Sequence, residues 1–222
     1  MADQRLRFDS SYREEVELDD GLEVTLRLVQ PSDKRHLLQG FARLSPESRH
    51  FRFMGVHNTL TEAELGYLCE VDGTDHFAMG AVVVNADGSE DGVAVARFVR
   101  LKDHPDAAEP AITVIDDYQG KGLGGILLKR LTSAARERGI ERFHTEFLRK
   151  NVKTAQLLDD YEESSIVRED GDVVTMEFVL PRPSLGERME EALRKSELYH
   201  AFVRVSRGAL PVRFGRSIRD RL

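Results

Sequence analysis

Two features of this 222-residue chain could do chemistry together: the glycine-rich turn Gln119-Gly120-Lys121-Gly122-Leu123-Gly124-Gly125, and Glu109, ten residues ahead of its glutamine. A carboxylate can take a proton from an amine, and glycines at the start of a helix can hold phosphate. Residues 111–115 read as a buried strand, while Leu123, Leu127, Leu131 and Ala134 recur at helical spacing as far as Gly139, a plausible stop. The turn therefore opens a helix. The first N–H groups there have no intrahelical partner, the macrodipole leaves roughly +0.5 charge, and residues without a Cβ let a pyrophosphate come close.

Three cofactor readings compete for the turn. A Walker A loop needs GxxxxGK followed by Ser or Thr, which is absent. Read as GxGxG, Gly120 to Gly124 falls short of the GxxG ending of a dinucleotide fingerprint. What remains is Gln119-x-x-Gly122-x-Gly124, which resembles the acyl-CoA signature (Gln/Arg)-x-x-Gly-x-(Gly/Ala) of the GNAT superfamily of N-acyltransferases. A second stretch, Leu44-Ser45-Pro46-Glu47-Ser48-Arg49, together with Asp116-Asp117-Tyr118-Gln119, is similar to the GNAT domains found in bacterial protein-lysine acetyltransferases.

The resemblance covers about residues 22–180 and implies an α/β (α+β) GNAT fold: a mixed, mostly antiparallel central sheet with helices on both faces. It implies acetyl-CoA as cosubstrate, with no metal. Its pyrophosphate would lie on the amides of Gln119, Gly120, Lys121, Gly122, Leu123 and Gly124, its thioester beside Ile112, Thr113 and Val114, and Asn151 would face it. Glu109 would be the general base, its pKa raised by a partly desolvated cleft. The acceptor would be a small-molecule amine or a protein lysine. The usual tyrosine acid is missing, since Leu158 holds its place and Tyr161 comes three residues later. A thiolate with a reference pKa near ~8.5 leaves tolerably without one. The rival is a non-catalytic acyl-CoA-sensing or partner-binding module, and the direction of Glu109 separates the two.

Other reactive side chains read more blandly. His104 sits in a polar link, His144 on a strand, and the seven histidines show no HxH or HxxxH metal spacing. Cys69 falls on an apolar helical stripe with Leu65 and Leu68 and reads as core filler. A lone cysteine excludes a disulfide framework and points to a cytoplasmic protein. No apolar run approaches the ~18 residues of a membrane span.

Charge is uneven. Residues 183–222 carry nine Lys/Arg against five Asp/Glu, a net +4, which leaves −11 for the rest of a chain of net charge −7. The acidic body argues against nucleic acid as a partner. Glu14, Glu15, Glu17, Asp19, Asp20 and Glu23 form a run without a base, so residues 1–21 read as a solvated acidic arm. Residues 22–180 carry the pattern β-α-α-β-β-β-α-β-α-β, with 45–53 as a polar link. Residues 181–222 read as a basic amphipathic helical tail that packs on the body or joins a second subunit in a homodimer, with a helix for a membrane surface or an acidic partner as the alternative.

Overall fold

The computed structural model describes residues 6–159, 161 and 165–182. The chain divides into two units, Met1–Pro181 and Arg182–Leu222; the tail from residue 183, with its expected homodimer contact, lies outside the described residues. In chain order the elements of the first unit are β1 (Arg13–Glu17), β2 (Glu23–Leu28), α1 (Lys34–Arg43), α2 (Pro46–Phe53), α3 (Glu62–Cys69), β3 (His76–Val84), β4 (Glu90–Leu101), β5 (His104–Val114), α4 (Leu123–Glu137), β6 (Arg142–Leu148), α5 (Val152–Leu158), β7 (Ser165–Asp170) and β8 (Val173–Val179). The strands make one eight-stranded sheet, β1-β2-β3-β4-β5-β6-β8-β7. Every neighbouring pair is antiparallel except β5 with β6.

Register assigns the two faces. Phe77, Phe98, Phe143 and Phe178 share one face and stand in a row across β3, β4, β6 and β8, with successive ring centroids 5.3, 6.3 and 5.9 Å apart. α4 covers this row with Leu123, Leu127, Leu131 and Ala135, all at most 1% exposed. Its apolar residues recur at 3.6-residue spacing because that is the stripe a helix lays on a sheet. The opposite face carries Ala78, Val95 and Arg97, and there α1 and α3 pack through Leu37 and Cys69. Cys69 is core filler as read, 1% exposed, its pKa raised by burial.

The structure corrects three expectations. The acidic arm is not an arm: Arg13–Glu17 pairs residue for residue with Arg27–Glu23, and Phe8, Tyr12 and Leu18 are core residues. The link 45–53 is the helix α2, since Ser45 caps it by accepting from Ser48 N at 3.1 Å, Pro46 fits the first turn and Glu47 suits the dipole. β5 begins at His104, so it takes in Glu109 as well as residues 111–114, and His104 is not in a link.

Two half-buried ion pairs fasten the N-terminal hairpin to the rest. Arg130 on α4 grips Glu14 of β1 with Nε at 2.8 Å and an Nη at 2.7 Å, and Tyr12 donates to the same carboxylate. The Arg130 fork, with help from Tyr12, brings Glu14 down to about 2 despite burial. At Asp33 burial alone would raise the pKa, but the Arg27 guanidinium at 2.7 and 2.8 Å, the Gln30 N–H and His36 lower it to about 2. Both groups titrate below their ordinary 4.5 and 3.8, so their contribution is complete above those values and disappears as pH falls toward 2. The urea midpoint is therefore expected to hold steady from neutral pH down to about 5 and then to fall steeply. Arg27→Met should make that acid-side fall shallower; an unchanged slope would show that Asp33 is not held by Arg27.

Candidate functional site

The pairing of β5 with β6 is short. It comprises Ala107 with Arg142 and Ala108 with Phe143, and stops where Glu109-Pro110 begins. Proline brings no N–H to extend a ladder. β5 runs on to Val114 beside β4 while β6 runs on to Leu148 beside β8, so the sheet opens between them. Beside this short pairing lies a cleft of about 490 Å³ whose wall includes His104, Glu109, Arg142, His144, Glu146 and Glu177. Arg142 and Glu177 pair at 2.5 Å, and His144 Nδ1 lies 3.8 Å from the same glutamate. Glu109 is exposed, so desolvation of its carboxylate has to come from what binds over it. Sequence reasoning identified Glu109, His104 and His144 but missed Glu146 and Glu177, which only register brings to the same face.

At the far end of β5, Ile115 leads into a 3₁₀ turn over Asp116–Tyr118 and then the glycines. Gly120 and Gly122 adopt φ of +72° and +80°, which side chains rarely tolerate, and nothing lies within 4 Å of a Cβ position at Gly120 or Gly125. Gly122 caps α4, whose first-turn amides Leu123, Gly124 and Gly125 have no intrahelical partner. The turn is thus an open anion cradle with one opposing charge: Asp19, in the β1–β2 turn, places Oδ2 2.9 Å from the Cβ position of Gly122. Beside it Asp20 pairs with Lys121 at 2.9 Å. Leu123 is core, and Gly124 faces Leu157 of α5.

The two motifs that carry the family resemblance touch. Asp116 accepts from Ser45 N at 2.9 Å and Ser48 Oγ at 3.0 Å. Gln119 donates through Nε2 to the Val114 carbonyl at 2.8 Å and to Ser48 Oγ at 3.4 Å, while its Oε1 accepts from Lys153. The glutamine side chain therefore braces the turn from inside, and only its backbone is left to face a ligand. Asn151 is likewise occupied, its Oδ1 capping α5 through Thr154 N at 3.1 Å. Leu158 is buried core, and the Tyr161 ring packs 4.7 Å from Phe178.

Gly120, Gly122 and Gly125 also satisfy GxGxxG, so spacing alone does not exclude a dinucleotide site. Topology does: such sites need a parallel βαβ sheet, whereas β4 and β5 are antiparallel and β5–β6 is parallel over two residues.

Replacing Asp116 with Ala leaves the Ser45 N–H and Ser48 hydroxyl without their acceptor. It should cost about 1–3 kcal/mol of stability and speed hydrogen exchange in residues 119–125. Unchanged exchange there would mean that the motifs touch without supporting each other.

Comparison with known proteins fits this geometry. The chain is 36% identical over 177 residues to "Acetyltransferase Pat" of Mycolicibacterium smegmatis, covering 77% of itself and 52% of that protein. It is 34% identical over 128 residues to "Acetyltransferase PA5475" of Pseudomonas aeruginosa, covering 58% of itself and 68% of the relative. It thus spans about half the length of the mycobacterial relative. Among solved structures, the GNAT domain of S. lividans PAT superposes with a TM-score of 0.69 at 27% identity, covering 78% of this chain and 99% of that one. A cAMP-binding acyltransferase from Mycobacterium smegmatis gives 0.54 at 30% identity, covering 86% and 55%. Residues 36–161, more than half of the sequence and reaching from within α1 to just past the end of α5, match the acetyltransferase (GNAT) family, to which this chain belongs.

Proposed function

We propose that the chain transfers an acetyl group from acetyl-CoA to a primary amine. One observation carries the reading: a single strand, β5, presents Glu109 in the wall of the cleft and ends in the glycine cradle, with its intervening residues facing the gap left by β6. The relatives named as acetyltransferases support it.

In this reading the pyrophosphate rests on the amides from Gly120 to Gly124, and the thioester lies along Ile112, Thr113 and Val114. The amine enters over the acidic cleft, where Glu109 and Glu146 attract its protonated form. Glu109 takes a proton from it, directly or through one water, and the neutral nitrogen attacks the thioester carbonyl. The tetrahedral adduct collapses with cleavage of its C–S bond, giving the amide and the CoA thiolate; the nitrogen's second proton passes to solvent, or to Glu109 once Glu109 has released the first to solvent. Leu158 offers no acid, and the thiolate departs unaided. The presence of Glu109 in the cleft wall supports the enzyme reading.

Calorimetric titration with acetyl-CoA, followed by thiol release over amines and lysine peptides, tests the reading; absence of acetyl-CoA binding would sink it. Glu109→Gln is expected to retain acetyl-CoA affinity while lowering turnover by about 10²–10⁴-fold, the usual worth of a general base. Turnover within a factor of about three of wild type would place the base elsewhere. Asp19→Asn removes the charge opposing the cradle and should tighten acetyl-CoA binding about two- to five-fold, the worth of one charge at a helix end. Weaker binding in that variant would show that Asp19 serves the ligand rather than opposing it.

A further inference from the structure

Between α1, α2 and the sheet lies a second cavity, of about 90 Å³, walled by apolar side chains, three arginines, Asp33 and His36. Arg27 is neutralised there by Asp33 and Glu90. Arg52 and Arg97 have no carboxylate partner among the described residues. Arg97 is 4% exposed and donates to two neutral acceptors, His76 Nε2 at 3.0 Å and the Leu68 carbonyl at 3.1 Å. Burial and the neighbouring Arg97 charge both lower the His76 pKa, which keeps that ring a neutral acceptor. Arg52, half-buried at the end of α2, lies over the Phe53 ring at 5.1 Å.

Two partly desolvated cations lining one cavity, neither with a carboxylate partner of its own among the described residues, are costly. Burial followed by repulsion from Arg52 brings Arg97 down to about 10, and burial also lowers Arg52. The foremost attractive charge acting on Arg52 is Glu109. Glu109 therefore stands between opposite fields, with Glu146 and Glu177 on the β6–β8 side of the same sheet face and Arg52 and Arg97 on the β4 side.

Given the acetyltransferase reading above, on which this rests, we propose that the acceptor bears a carboxylate a few bonds from its amine, held by Arg52 with Arg97 behind it while the amine meets Glu109. The guanidinium fork suits a carboxylate, which it can grip with two parallel hydrogen bonds. A polyamine would instead bring another cation to an unneutralised pair. The carboxylate can belong to a free amino acid or to an acidic residue beside a peptide lysine.

The test is thiol release with acceptors that differ only as carboxylate and carboxamide: amino acids against their amides, and lysine peptides with Glu or Gln next to the lysine. Wild type should prefer the carboxylate member at least ~10-fold in kcat/KM, as sites built for a polar group do. The pair of acceptors showing the preference identifies the source. Arg52→Gln should reduce the preference below about three-fold and Arg52→Lys should restore part of it, with acetyl-CoA affinity unchanged in both. Equal use of the carboxamides by wild type, or a preference that survives Arg52→Gln, overturns the proposal. So does acetyl-CoA binding without turnover of any acceptor, whereas loss of acetyl-CoA binding itself would be the failure of the acetyltransferase reading.

Discussion

The candidate site depends on the point where two parallel strands stop pairing, after Ala108. Had β5 and β6 stayed in register to their ends, Glu109 would sit in a closed ladder and the backbone beyond it would be saturated. The parting leaves β5 held on one side only, by β4 through Val114 with Ala94. Its free side is then a row of backbone groups facing open space, useful to a linear ligand and costly if left without one.

A strand held on one side needs bracing at its end, and the contact between Asp116, Ser45, Ser48 and Gln119 provides it. Asp116 is held below the usual carboxylate range by these donors, which outweigh the effect of its burial. The brace joins α2 to the glycine turn, so the helix that carries Arg52 and the turn that would carry phosphate are positioned by the same few hydrogen bonds. Two sequence motifs some 70 residues apart are thus one structural unit.

Much of the fold was legible because α4, β6 and β8 each bury one stripe, which leaves a period in the sequence, while β3 and β4 are apolar runs buried on both faces. β7, exposed along nearly all its length, has no such period and was missed. α2 was read as a link because it buries no residue fully, and its cap alone had to signal it. The proposed base and the glycine cradle could be found from spacing along a single strand and turn. Arg52, Arg97, Glu146 and Glu177 could not: each meets Glu109's surroundings only through register across strands or packing of a helix, and neither is written in local order.

The strand β1 has a further consequence for how the molecule lives among its own copies. It is the outermost strand of the sheet, where a row of peptide groups could recruit another chain's strand. Four of its five residues, Arg13, Glu14, Glu15 and Glu17, are charged, and an incoming copy would stack like charges within about 5 Å of one another, a destabilising arrangement. The acidity that disguises this segment as an unfolded tail is the same property that discourages the sheet from growing into an aggregate.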